Sequence, residues 1–118
     1  HEIVGIFHYQ GEAETNSIEK VNQYVGLTTT FFNKFRVHIG KPGLRIVYAQ
    51  LGAKPYGNDR PYWTNIQQLQ TQLRDIDPSL VMIRTADIIP YYPEDGLHFC
   101  EAGYKKIANN AIRRIEDE

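Results

Sequence analysis

Hydrophobic and polar positions along the chain form blocks that predict strands alternating with helices. Short, nearly unbroken apolar runs, typical of strands buried on both faces of a sheet, occur three times. They are residues 3–7, 44–51 and 80–85. Segments with apolar residues at every third or fourth position predict helices. These are residues 17–36, 62–77 and 104–115. The predicted order is therefore strand, helix, strand, helix, strand, helix.

This regular alternation predicts an α/β fold. Right-handed crossovers between successive strands give a parallel sheet covered by helices on both faces, which is a three-layer α/β/α sandwich. A domain of this class usually has about five or more strands, and only three are predicted here. We therefore interpret residues 1–118 as the carboxyl-terminal part of a single larger domain whose amino-terminal strands are missing from this chain.

Local signals set the limits of the first predicted helix. Residues 8–15 are mostly polar or small and are predicted as a loop. Asn16 and Glu19 have the spacing of a capping box, which predicts a helix start at this point. Gly40 and Pro42 predict that the helix ends just before them.

Composition and charge exclude several classes of function. The formal net charge is −1, with acidic and basic residues interspersed, so the sequence predicts neither nucleic-acid binding nor attachment to an anionic membrane. The single cysteine, Cys100, excludes an internal disulfide. The histidines at positions 1, 8, 38 and 98 lack the spacing of metal ligands, so neither a metal site nor a cofactor is predicted.

The loop before the last predicted helix carries the first candidate site. Asp95 precedes His98 by three residues. Such a pair supports nucleophilic catalysis when the imidazole takes a proton from a hydroxyl and the carboxylate fixes the imidazole tautomer. The loop also follows the carboxyl end of a predicted parallel strand, where open α/β sheets have their active sites. The alternative is a surface carboxylate and imidazole that are hydrogen-bonded only to each other.

Two motifs carry a family resemblance that spans nearly the whole chain. The sequence FHYQGEAE at residues 7–14 resembles the aromatic-x-x-Gln-Gly-Glu-[Ala/Ser]-[Asp/Glu] segment of the SGNH/GDSL hydrolase superfamily, in its branch of sialic-acid O-acetylesterases and related carbohydrate esterases. The sequence DGLH at residues 95–98, followed by AGY at 102–104, resembles the last conserved block of that superfamily. The resemblance implies a flavodoxin-like sheet.

The resemblance also implies a serine esterase that removes acetyl groups from sugar hydroxyls. His98 matches the general base, Asp95 the acid that orients it, and Gln10 the side-chain donor of the oxyanion hole. Glu12 matches an acidic position expected to brace the loop, and Gly11 is the supporting glycine beside Gln10. An ordinary strand-to-helix turn at Gln10 and Gly11 is the alternative for that segment.

The nucleophile expected from this resemblance has no counterpart here. The only serines are Ser17, at a predicted helix start, and Ser79, before the third predicted strand, and neither matches the family's Gly-x-Ser block. We therefore expect two partners. One is the amino-terminal part of the same domain, from the same precursor or from a separate chain, which supplies the serine and pairs with residues 3–7; the other is an acetylated carbohydrate. A catalytically inactive carbohydrate-binding or assembly module that keeps the fold is the alternative function.

Overall fold

The computed structural model describes residues 5–53, 60–85 and 101–116. Within these ranges, three strands alternate with three α-helices, and one short 3₁₀ helix follows the first strand. In chain order the elements are β1 (Gly5–Tyr9), the 3₁₀ helix (Glu12–Asn16), α1 (Ile18–His38), β2 (Arg45–Ala49), α2 (Trp63–Ile76), β3 (Leu80–Ile83) and α3 (Glu101–Glu116). The predicted order of strands and helices is confirmed.

The three strands form one parallel sheet in the order β1-β2-β3. His8 in β1 is level with Tyr48 in β2, and Tyr48 is level with Met82 in β3. Parallel strands need long crossovers, which α1 and α2 supply. All three strands therefore end at the same edge of the sheet, where Gln10 follows β1.

Alternate side chains of the strands point to opposite faces of the sheet, and both faces are covered. On one face, Ile46, Tyr48 and Met82 belong to the main core with the buried residues of α1 and α2. On the other face, α3 packs against β2 and β3 through buried residues. The contacts on that face are Ile107 with Ala49, and Ala111 with Val47 and Ile83. This arrangement confirms the predicted three-layer α/β/α class.

The start of the first helix differs from the prediction. The predicted capping box at Asn16 and Glu19 is wrong, because Asn16 is the last residue of the 3₁₀ helix and Ser17 is the N-cap of α1, without a side-chain capping bond. The side-chain oxygen of Asn16 instead accepts a hydrogen bond from Lys20 Nζ at 3.4 Å. The loop predicted over residues 8–15 is also wrong in part, since β1 continues to Tyr9 and the 3₁₀ helix begins at Glu12.

A buried arginine ties the opposite edge of the sheet together. Arg36, at the end of α1, is 4% exposed and donates from Nε to the carbonyl of Leu44 at 3.0 Å. Its terminal nitrogens reach Asp77 Oδ2 at 2.7 Å and Ser79 Oγ at 2.6 Å, just before β3. Desolvation, the largest influence, acts to raise the pKa of Asp77, but hydrogen bonds from Ser79 and Arg36 outweigh it, and this pKa lies below its usual value.

Candidate functional site

The chain turns sharply where β1 ends, and a glycine makes that turn possible. Gly11 has φ of +143°, a region that residues with a side chain rarely adopt. A Cβ atom added there would lie 2.9 Å from Gln70 Nε2 and 3.3 Å from Ile66 Cγ2. Both the backbone conformation and the close approach of α2 therefore require glycine, and they fix the direction in which Gln10 leaves the strand.

The side chain of Gln10 is held by a carboxylate from the next turn of chain. Its Nε2 atom lies 2.7 Å from Glu14 Oε1 and 2.6 Å from Oε2. Two oxygens of one carboxylate subtend too small an angle at the nitrogen to take separate hydrogens, so a single N–H serves both. The second N–H of Gln10 has no acceptor within residues 5–53, 60–85 and 101–116.

Glu14 was not among the site residues predicted from the sequence. Its position four residues after Gln10, inside the matching motif, is the signal that could have identified it. Glu12 contacts the rest of the turn through its main-chain carbonyl, which accepts hydrogen bonds from Thr15 Oγ1 at 2.6 Å and from Arg60 at 2.9 Å. Glu14 is therefore the carboxylate that orients the Gln10 amide in this structure.

The main chain of Gln10 is held separately, by a buried amide on α2. Gln70 is 1% exposed, and its Nε2 donates to the Gln10 carbonyl at 3.1 Å and to Tyr24 Oη at 3.2 Å. Its Oε1 accepts from the N–H of Leu51, just after β2, at 2.8 Å. Gln70 was not predicted as a site residue, because a glutamine among the apolar positions of a helix gives no local sign of its partners.

A cavity of about 360 Å³ opens beside Gln10 on the α1 side of the sheet. It is lined by apolar and polar side chains of β1, the 3₁₀ helix and α1. They are His8, Gln10, Glu14, Lys20, Gln23, Tyr24, Leu27, Thr28 and Phe31. The turn after β1 is thus accessible to a small molecule or to another polypeptide segment.

His8 forms one wall of this cavity, and the residues around its ring are largely apolar. Its ring lies 5.8 Å from the ring of Phe31 and 5.1 Å from that of Phe32, between centroids. Burial lowers the pKa of His8, against a smaller opposing effect of the Glu14 charge. Its Nε2 atom is buried and has no hydrogen-bond partner in the described part of the chain. Neutral imidazole is therefore the favoured form.

Asp95 and His98 lie outside the described residues, so the structure gives no geometry for that pair. The helix that follows them is described, and its first turns lie next to the end of β1. The ring of Tyr104 in α3 packs edge-on against the ring of Tyr9, with centroids 6.5 Å apart. Tyr9 is the residue immediately before Gln10, so α3 begins close to the turn that carries Gln10.

Two further properties of the described residues bear on the kind of site. Within them, no three His, Cys, Asp or Glu side chains are grouped so that they could hold a metal ion. None of their helices is long and apolar enough to cross a bilayer.

The parallel sheet between helical layers defines the chain as a three-layer α/β protein. Residues 1–115 match the family model described as "Carbohydrate esterase, sialic acid-specific acetylesterase". The chain belongs to this carbohydrate esterase family. A comparison with curated protein sequences gave no match.

Solved structures share the fold at low sequence identity. The chain is similar to a protein from Arabidopsis thaliana, with a TM-score of 0.82 and 16% identity over 99% of this chain and 45% of that one. It is also similar to a carbohydrate acetylesterase from Xanthomonas citri, with a TM-score of 0.69 and 18% identity over 97% of this chain and 26% of that one. The chain thus spans less than half the length of either structure.

Proposed function

We propose that the protein acts as a serine O-acetylesterase on carbohydrates, with Gln10 as a donor to the oxyanion of the tetrahedral intermediate. The observation that carries the proposal is the contact between Gln10 and Glu14 at the carboxyl edge of a parallel sheet. This contact fixes the direction of the amide nitrogen and leaves one N–H without an acceptor among the described residues. Membership of the carbohydrate esterase family supports it, as does the similarity of fold to a carbohydrate acetylesterase.

The chemistry of an amide donor suits this role. An acyl-transfer reaction develops negative charge on the ester carbonyl oxygen, and a fixed N–H aimed at that oxygen stabilises the charge without a proton transfer. One such donor is worth about 3 kcal/mol, or roughly a hundredfold in rate. The Glu14 carboxylate excludes the flipped orientation of the amide, because that orientation would bring the Gln10 oxygen against the two carboxylate oxygens.

Asp95 and His98 are the proposed orienting acid and general base. His98 is three residues from Glu101, where α3 begins, and three residues span at most about 10 Å. The contact between Tyr104 and Tyr9 brings the start of α3 to the end of β1. This arrangement supports a common site for His98 and Gln10.

The proposed reaction needs a serine from the amino-terminal part of the domain. Ser79 is unsuitable, because its hydroxyl is bonded to Arg36 and Asp77 at the opposite edge of the sheet. In the reaction, His98 takes the proton from the attacking serine hydroxyl, Gln10 donates to the resulting oxyanion, and the sugar hydroxyl leaves with the proton from His98. Water, deprotonated by His98, then attacks the acetyl carbon of the acetyl-serine; the serine ester bond breaks, the serine oxygen takes the proton back from His98, and acetate is released.

We propose that this amino-terminal part packs against β1 and α1. Within the described residues β1 has a neighbouring strand on one side only. Apolar side chains are exposed on both sides of that edge, with Phe7 39%, Leu27 64% and Phe31 51% exposed. The solved structures with this fold are more than twice as long as this chain, which fits further strands at this edge.

The proposal is tested on the full-length protein with an acetylated sugar, including an O-acetylated sialic acid, by measuring acetate release. His98→Ala should lower kcat by a factor of about 10³ or more, and Gln10→Ala by about 10². Activity of His98→Ala within a few-fold of the parent would overturn the proposed triad. Tight sugar binding without any acetate release from the parent would favour the inactive binding module instead.

A further inference from the structure

The buried amide of Gln70 joins the ends of two neighbouring strands, and the proposed site lies at one of them. We infer that Gln70 is a positioning residue. It links the carbonyl of Gln10 to the start of the loop after β2 and thereby fixes the position of the Gln10 side chain. This assignment rests on the proposed esterase function.

Every hydrogen-bonding group of the Gln70 amide is used. One donor bond reaches the Gln10 carbonyl at 3.1 Å and the other reaches Tyr24 Oη at 3.2 Å, while Oε1 accepts from the Leu51 N–H at 2.8 Å. In addition, the hydroxyl of Tyr48 donates to the Gln70 main-chain carbonyl. A fully satisfied buried network of this kind holds its members in one arrangement.

The contact with the turn after β1 is close as well as polar. Gly11 has no side chain, and the Gln70 amide occupies the space beside it, since a Cβ at Gly11 would lie 2.9 Å from Gln70 Nε2. An apolar residue of similar size could fill this space and preserve the core. It could not restrain the Gln10 carbonyl, so it would leave the oxyanion donor free to shift.

The same helix offers a matched control. Gln67 lies one turn before Gln70, and its Nε2 donates to the carbonyls of Leu51 and Gly52 at 3.0 and 2.6 Å. Gln67 therefore holds the loop after β2 from α2, as Gln70 does, but within the described residues its side chain makes no hydrogen bond to the turn after β1. Comparing a Gln70 variant with a Gln67 variant therefore distinguishes loss of the contacts between α2 and the loop after β2 from loss of the restraint on Gln10.

The experiment measures kcat and KM of the full-length protein for a small acetyl ester. Gln70→Met should lower kcat by roughly tenfold to a hundredfold and change KM by less than about twofold, because the restraint acts on transition-state stabilisation rather than on ground-state binding. Gln67→Met, compared at an equal margin below its own melting temperature, should change kcat by less than about threefold.

A second variant covers the case in which Gln70→Met does not fold. Gln70→Glu has nearly the same shape, and when protonated it can donate to the Gln10 carbonyl, whereas when ionised it cannot. The ratio of its kcat to that of the parent should rise as the pH is lowered from about 8 to about 5. Because a buried ionised carboxylate also destabilises the fold, the rate is divided by the folded fraction measured at each pH. A residue that served only to fill the core would then give a flat ratio.

The outcomes separate the two proposals. A parent protein without esterase activity overturns the proposed function, and the assignment of Gln70 with it. An active parent overturns the assignment of Gln70 alone if Gln70→Met matches Gln67→Met in kcat, or if the ratio for Gln70→Glu does not change with pH.

Discussion

Gln10 Nε2 lies 2.7 Å from Oε1 and 2.6 Å from Oε2 of Glu14, so the Glu14 carboxylate fixes the direction of the Gln10 amide at the end of β1. Such an amide is preorganised: no reorientation is needed when a negative charge develops nearby. Glu14 holds one N–H of the amide and thereby aims the other, so the two residues should act as a unit.

Glu14→Ala in the full-length protein should lower kcat about tenfold, since the Gln10 amide would then sample orientations that present its oxygen to the substrate. Hydrolysis of an acetyl ester measures the effect. The exposed acid Glu19 in the first turn of α1 provides the control, and Glu19→Ala should leave kcat within about twofold. Because Gln10 and Glu14 act together, the double variant Gln10→Ala/Glu14→Ala should be no slower than Gln10→Ala alone. An additive loss would contradict this interpretation.

Gly11→Ala should reduce the free energy of unfolding by about 1–3 kcal/mol. The reasons are its φ of +143° and the 2.9 Å approach of Gln70 Nε2 to the new methyl group. Gly26, exposed in the middle of α1 with no atom within 4 Å of an added Cβ, is the control. Gly26→Ala should increase stability by up to about 1 kcal/mol because alanine favours the helix. Urea denaturation of both variants checks the prediction, and equal effects at the two sites would refute it.

The ion pair between Arg36 and Asp77 predicts a loss of stability in acid. The pKa of Asp77 is lowered in the folded protein, so its contribution to stability is present at pH values above about 4. That contribution is lost as the pH falls through the folded pKa, which lies below the usual value of 3.8. The contribution is about 1 kcal/mol or less, because Asp77 is partly exposed and solvent screens the pair. Asp77→Asn should be less stable at pH 6 and should converge with the parent near pH 2. Urea denaturation across this range measures both curves.

His8 predicts a second, separate pH dependence. Burial lowers its pKa in the folded state, so the unfolded chain binds more protons between the folded pKa and about 6.5. Stability should therefore be fully present above pH 6.5 and should fall as the pH drops below that value. His8→Phe, which keeps an aromatic ring beside Phe31 and Phe32, should flatten the curve in this range. An unchanged slope in the variant would show that other groups cause the effect.

The proposed general base predicts that esterase activity also falls in acid. As the pH drops below about 6.5, His98 becomes protonated and can no longer accept the serine proton, so kcat should decline. The His8→Phe variant serves as the control, because it should keep the decline in kcat while losing the decline in stability. A pH profile of kcat that disappears with His8→Phe would assign the titration to His8 instead.

The sequence predicted the layers of this fold better than it predicted the site. The apolar runs of the strands and the helical periodicity are local, and they were sufficient for the parallel three-layer arrangement. Trp63, in the first turn of α2, is 1% exposed and belongs to the main core. Asp95 and His98 were identified from a motif, and their geometry remains a prediction.

The contacts around Gln10 depend on tertiary structure and were therefore hidden in the sequence. Gln70 and Gln10 are 60 residues apart in the chain, and no local pattern links them. The 3₁₀ helix was missed because its residues, Glu12–Asn16, are polar and resemble a loop. That same short helix gives Glu14 its position, so the error in the local prediction concealed the residue that orients Gln10.

The exposed rings and aliphatic groups of Phe7, Leu27 and Phe31 have a practical consequence for handling the polypeptide. In a preparation limited to these 118 residues, this exposed apolar surface should cause copies of the chain to self-associate. Light scattering should therefore rise more steeply than the protein concentration. If the proposed amino-terminal part of the domain covers these side chains, producing the 118 residues together with it should give monodisperse material for crystallisation.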